Sequence, residues 1–191
     1  MRNDLRRDRT KRFLKDALIE LLNEKSFEKI TTSELVQRAG ISRSGFYTHY
    51  SDKYDMIEYY QLILFNTIEY VFEKNKRSLR ETFRETYEFL NSNEIYVSLL
   101  SENGSKEIHT FILQKLTILI EEAIYPTLIM DDNVDKVRLI YSKHYFANAV
   151  FGMTQAWVRR KRKETPAEMA DLFIKFLGTD YAGKNYDKAP D

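Results

Sequence analysis

Along residues 10–24 apolar side chains return at every third or fourth position, as Phe13, Leu14, Ala17, Leu18, Leu21 and Leu22. This is the stripe of an amphipathic helix. The pattern then breaks into shorter units. Thr31 or Thr32 is placed to cap a helix whose buried face is Leu35, Val36 and Ala39, and Gly40 follows where a left-handed residue is wanted. Ile41 returns the chain to the core, and Ser42 caps a second short helix that reaches Tyr47 or His49. Two short helices joined by a tight Gly-containing turn predict a helix-turn-helix. From Ser51-Asp52 a long helix is expected to about Lys76, with Tyr54, Ile57, Leu64, Ile68, Val71 and Phe72 inward. Further helices are expected near 79–91, 94–101 and 106–124, the last ended by Pro126. Two final helices, 134–162 and 166–178, are separated by Thr165-Pro166, a cap followed by proline in the first turn, and the polar tail is expected to fray. The fold class that follows is all-α. A three-helix helix-turn-helix domain occupies residues 1–52 and a larger helical domain residues 53–191, about nine helices in all.

Composition supports long helices, since 12 Phe and 13 Tyr accompany only 6 Gly and 3 Pro. A net charge of +1 hides an asymmetry. Residues 1–55 hold 12 Lys and Arg against 9 Asp and Glu, whereas the remaining 136 hold 18 against 20. A basic front end suits a module that faces phosphates. Zero cysteines exclude disulfides and thiolate metal sites. No apolar run approaches the roughly 20 residues of a membrane span, and the start MRNDLRRDRT has no signal-peptide core. A cytoplasmic protein with no membrane partner is therefore expected. His49, His109 and His144 are scattered, and there is no Gly-rich phosphate loop, G-x-S-x-G elbow or H-E-x-x-H. Neither catalytic residues, nor a metal, nor a cofactor is expected, and the chain does not read as an enzyme.

A recognition helix must bring small or hydrogen-bonding side chains to its start to enter the major groove, and Ser42-Arg43-Ser44-Gly45 does so. Arg43 alone among these can pair bidentately with guanine, so it is the candidate for base readout; the alternative is that it points to phosphate or solvent.

The helix-one stripe, ITTSELVQRAGIS, GFYTHYSDK and the pair Met56-Ile57 together make residues 10–56 resemble the N-terminal DNA-binding domain of the TetR family of bacterial regulators. The segment HYFANAVFGMTQAWVRRKRKETPAEMADLFIKFL is similar to C-terminal domains of some members. The resemblance implies a homodimeric, sequence-specific regulator of transcription that binds a palindromic operator in double-stranded DNA. It places Tyr47, His49 and Lys53 at backbone contacts: Tyr47 through its hydroxyl and ring, His49 as a donor, and Lys53 through charge at the start of a helix. Thr32 either donates to phosphate or is a plain cap. The arginine-rich stretch Asn3–Arg12 is either an arm on phosphate or a solvated leader. Pairing is expected through the last two helices, where Asn148, Gly152 and Ala156 form a stripe of small residues. The run Arg159–Lys163 is either a solvated helix end or a site for an anion. The resemblance also implies a small-molecule effector that releases a repressor from DNA. Tyr59, Tyr60, Phe65, Phe72, Tyr87, Phe89, Tyr96, Phe111, Tyr125, Phe146, Phe151 and Trp157 are either core or the lining of such a pocket. The rival reading is a coactivator or adaptor of similar build that acts mainly through a protein partner.

Overall fold

The computed structural model describes the backbone of residues 2–75, 78–124 and 136–181, and the side chains of 7–75, 78–122, 137 and 140–176. Among these residues the fold is all-helical, with nine α-helices and no strand. They are α1 (Arg2–Glu24), α2 (Thr32–Arg38), α3 (Arg43–Tyr47), α4 (Lys53–Lys74), α5 (Leu79–Asn91), α6 (Glu94–Leu100), α7 (Lys106–Leu119), α8 (Lys136–Arg159) and α9 (Pro166–Tyr181). A 3-10 turn at Phe27–Lys29 precedes α2, and α7 runs on into a π turn at Ile120–Ile124. Pro126 and Tyr125, Lys76 and the tail beyond 181 lie outside the described residues. The stretch expected as an arm or leader is helical, since α1 begins at Arg2.

The chain divides into two compact units, Met1–Asn66 with Asn93–Ile112, and Thr67–Ser92 with Leu113–Asp191. In the first, Leu14, Leu18, Leu21 and Leu22 of α1 are buried with Leu35, Phe46, Met56, Leu64, Leu99 and Ile108, so the periodic stripe read in the sequence becomes one continuous core. α1 packs on α2 and on α6. The α6–α7 loop is bound to the end of α1 and the 3-10 turn by three hydrogen bonds. The Asn103 amide side chain donates to the Leu22 carbonyl at 2.8 Å, the Phe27 amide donates to the Asn103 carbonyl at 2.8 Å, and the Lys106 amide donates to the Glu28 carboxylate at 3.2 Å. Gly104 is required there because a Cβ would stand 1.8 Å from the Leu99 carbonyl oxygen.

In the second unit α5 packs along α9. Phe83 stacks on Phe173 at 4.5 Å, and Tyr87 meets Trp157 edge-on at 4.9 Å. The Thr154 hydroxyl donates to the Val150 carbonyl at 2.8 Å, so the fully buried Tyr87 hydroxyl is the donor in its 2.7 Å bond to Thr154. Phe72, Tyr87, Phe146, Phe151 and Trp157 are all buried, as are Tyr60 and Tyr96 of the first unit. These rings are core. After α8, Lys161 and Arg162 both adopt positive φ (60° and 55°), held by bonds from their amides to the Val158 and Trp157 carbonyls and by the Trp157 indole donating to the Glu164 carbonyl at 2.8 Å.

Candidate nucleic-acid interface

Each short helix of the motif is fixed at its start by its own sequence. Thr31, rather than Thr32, is the cap of α2. Its hydroxyl accepts from the Glu34 amide at 3.2 Å, while the Glu34 carboxylate accepts from the Thr31 amide at 2.9 Å. The Lys25 ammonium also donates to Glu34, and this bond, followed by those from Thr31, holds the Glu34 carboxyl down at about 2. Arg38 ties the other end of α2 to Glu20 and Glu24 of α1, at 3.2 and 2.8 Å. Gly40 then takes φ +63°, which a side chain would disfavour, and the Ile41 amide donates back to Val36 at 3.0 Å.

The turn delivers Ser42, whose hydroxyl accepts from the Gly45 amide at 3.1 Å and caps α3. That helix has five residues and one buried face, Phe46, which is 0% exposed and packs against Tyr50. Everything else it carries is therefore turned outward. Arg43 and Ser44 are exposed, and Tyr47 is 55% exposed with its ring edge-on to Phe46. One Arg43 amino group donates to the Ser33 hydroxyl of α2 at 2.7 Å, which steadies the guanidinium. The Ser44 hydroxyl lies 3.0 Å from that of Ser42. Thr32 stands half-buried in the first turn of α2.

His49 is half-buried just beyond α3. Burial, then the positive charges of Lys11 and Arg7, lower its pKa. Arg7 and Thr10 of α1 face Ser42, Ser44, Gly45, Thr48 and His49 across a groove of about 480 Å³. The Thr48 hydroxyl donates to the Ser44 carbonyl at 2.8 Å. Periodicity gave no sign of this groove, because it depends on how α1 passes α3 rather than on any local pattern.

The structure gives Lys53 a different task from the outward phosphate contact expected of it. Its ammonium donates to the carbonyls of Phe27, Glu28 and Ile30 at 2.9, 3.1 and 2.7 Å, and it lies 4.5 Å from the centre of the Phe27 ring. An ammonium has three donors, and all three are spent. Burial lowers the Lys53 pKa, with Glu28 and Glu107 opposing. Lys53 thus joins the start of α4 to the turn before α2 as a clamp.

A short capped helix with its polar face exposed, set behind a second helix and beside a cationic first helix, is the architecture of a helix-turn-helix DNA reader. Comparison with known proteins agrees. Residues 14–60 match the model described as bacterial regulatory proteins, tetR family, and residues 77–178 match the model described as transcriptional regulator C-terminal region, of the same family. The chain belongs to the TetR family of bacterial regulatory proteins. An uncharacterized HTH-type transcriptional regulator of Bacillus subtilis (strain 168), YxbF, is 26% identical over 99 residues, which is 48% of this chain. The match takes in 26% of that relative's length. Among solved structures, a TetR transcriptional regulator from Streptococcus agalactiae 2603V superposes with a TM-score of 0.63 at 20% identity, over 93% of this chain and 98% of the other. The dihydroxyacetone kinase operon activator DhaS gives 0.58 at 16% identity, over 91% and 96%. At such identities the likeness speaks for the fold.

Proposed function

We propose that this protein represses transcription as a cytoplasmic homodimer bound to a palindromic operator, and that a small-molecule effector releases it. In this reading α3 lies in the major groove. Arg43 reads a guanine edge, Ser42, Ser44 and Gly45 allow the close approach, and Thr32, Tyr47 and His49 meet the sugar-phosphate backbone. Lys53 keeps the motif rigid from behind. The observation that carries the reading is Tyr47, an aromatic side chain left 55% exposed on a helix whose neighbouring ring, Phe46, is wholly buried. A large ring with a hydroxyl, held out of the core beside an exposed arginine, suits a phosphate and sugar surface.

Pairing is supported by the second unit. Val137, Ile140, Tyr141 and Tyr145 of α8 are 52–71% exposed, and Phe176 of α9 is 47% exposed. Farther along α8, a Cβ added at Gly152 would meet nothing within 4 Å. Exposed apolar surface with room for a close helix is what an isologous helical interface consumes. Two reading heads then engage successive major grooves, and an effector that favours another head separation weakens binding at both.

The test is selection of bound duplexes from a random pool, followed by titration of the winner at two salt concentrations and by transcription in vitro from a promoter carrying it. A palindromic winner with affinity falling steeply in salt supports a dimeric reader, and reduced transcript supports repression. Arg43→Ala is expected to lose about 1–3 kcal/mol of discrimination at one base position. Failure to enrich any sequence overturns the reading.

A further inference from the structure

In the groove between α1 and α3, the titratable group near neutrality, His49, lies beside two positive charges of α1. Arg7 and Thr10 form one wall, Ser44 and Thr48 the other, and His49 lies among them. The charged groups acting on His49 are Lys11 and Arg7 of α1, both positive; its ring neighbour is Tyr50, at 6.3 Å, and the Lys11 ammonium rests over the Tyr59 ring of α4, at 4.5 Å. No carboxylate acts on it among the described residues. Among the described residues, therefore, no charge favours the imidazolium, while the concave site with Arg7 on its wall suits an anion of phosphate size.

Resting on the DNA-reader interpretation, we infer that this groove seats one phosphate of the DNA backbone and that His49 takes up a proton as the phosphate enters, so that operator affinity is linked to pH. A neutral imidazole offers one N–H and an imidazolium two, and a phosphate oxygen only accepts. The phosphate's charge opposes that of Arg7 and Lys11 at His49 and stabilises the added proton. In the free protein burial and the two cations keep His49 neutral to lower pH than usual. The bound form holds the proton to higher pH than the free form, so affinity is greatest and constant below the free midpoint. It falls by up to tenfold per pH unit between the two midpoints, the limit for one linked proton, and levels off above the bound midpoint.

The experiment uses the full chain and the duplex chosen by selection. The His49 ring resonance, assigned by its loss in His49→Gln, is followed from pH 5 to 8 with and without DNA, and affinity is measured over the same range at constant ionic strength. The expected result is an upward move of the His49 midpoint on binding, together with a wild-type affinity that falls with pH while His49→Gln binds with a shallower slope. Arg7→Gln is expected to raise the His49 midpoint in the free protein. An unmoved midpoint, or an unchanged slope in His49→Gln, overturns the proton linkage while leaving the reader intact. A protein that binds no duplex at any pH overturns the reader itself, and the inference with it.

Discussion

Replacing Lys53 with Met keeps the length and apolar stem of the side chain and removes only the ammonium. Of its three acceptors, the Phe27 carbonyl also receives the Ile30 amide, at 3.0 Å, and stays satisfied, whereas those of Glu28 and Ile30 lose this donor. A hydrogen bond to a charged group contributes about 1.5–3 kcal/mol, and the lower end applies where water can reach the abandoned oxygens. Two such losses give about 3 kcal/mol; the ammonium over the Phe27 ring adds at most about 1 kcal/mol more. For a chain of 191 residues each kcal/mol lowers Tm by roughly 2–4 °C, so a loss of about 3–4 kcal/mol is expected to make Lys53→Met melt about 6–16 °C below wild type. Circular dichroism against temperature reads this. The salt dependence of DNA affinity separates the clamp from a phosphate contact, because a lysine on phosphate contributes about 0.9 to the slope of log affinity against log salt and a clamp contributes nothing. A variant that melts within about 1 °C of wild type and loses that much slope would refute the clamp and restore Lys53 to the interface.

Gly104→Ala places a Cβ where the Leu99 carbonyl stands, so the α6–α7 loop must shift; a loss of about 3 kcal/mol or more in urea unfolding is expected, and a change under about 0.5 kcal/mol would contradict the loop geometry. Tyr87→Phe removes a donor from Thr154 and costs about 1 kcal/mol. Thr154→Val costs more, about 1–3 kcal/mol, because it strands the fully buried Tyr87 hydroxyl, and denaturant midpoints should rank them in that order. Glu34 has a carboxyl pKa held at about 2, below its ordinary 4.5, chiefly by Lys25 and then by Thr31. A depressed carboxyl pKa stabilises the fold above the unfolded-state value and loses that contribution as pH falls toward the folded one. Glu34→Gln should therefore flatten the stability profile between about 4.5 and about 2 and leave a shallower acid limb than wild type; an unchanged limb would remove Glu34 from the account.

Much of the fold was legible because its signals are local. The α1 stripe, Ser42 as the cap of α3, Gly40 at the turn and Thr165-Pro166 before α9 each depend on neighbours within a turn of helix, and each element formed near its expected bounds except at the start of α1, which begins at Arg2 rather than at residue 10. The exposed face of α3 was legible for the same reason: in a helix of five residues, burying Phe46 leaves Arg43, Ser44 and Tyr47 facing outward. Periodicity also marked the buried rings as candidates for core, although it could not choose between core and pocket lining.

What the sequence determined by itself was therefore the set of helices, their order and the exposed face of α3, all consequences of helical spacing and capping. What only the tertiary structure decided was the employment of the charges. Lys53 reads in sequence as one more cation near the reading head, yet its three acceptors lie 23 to 26 residues away, on a turn whose position is set by packing. Arg38 is neutralised by Glu20 and Glu24 of another helix, whereas Arg7 is brought opposite His49 across a groove. Coulomb energy and hydrogen bonding act through space, so the partner of a long polar side chain is fixed only once the helices have packed.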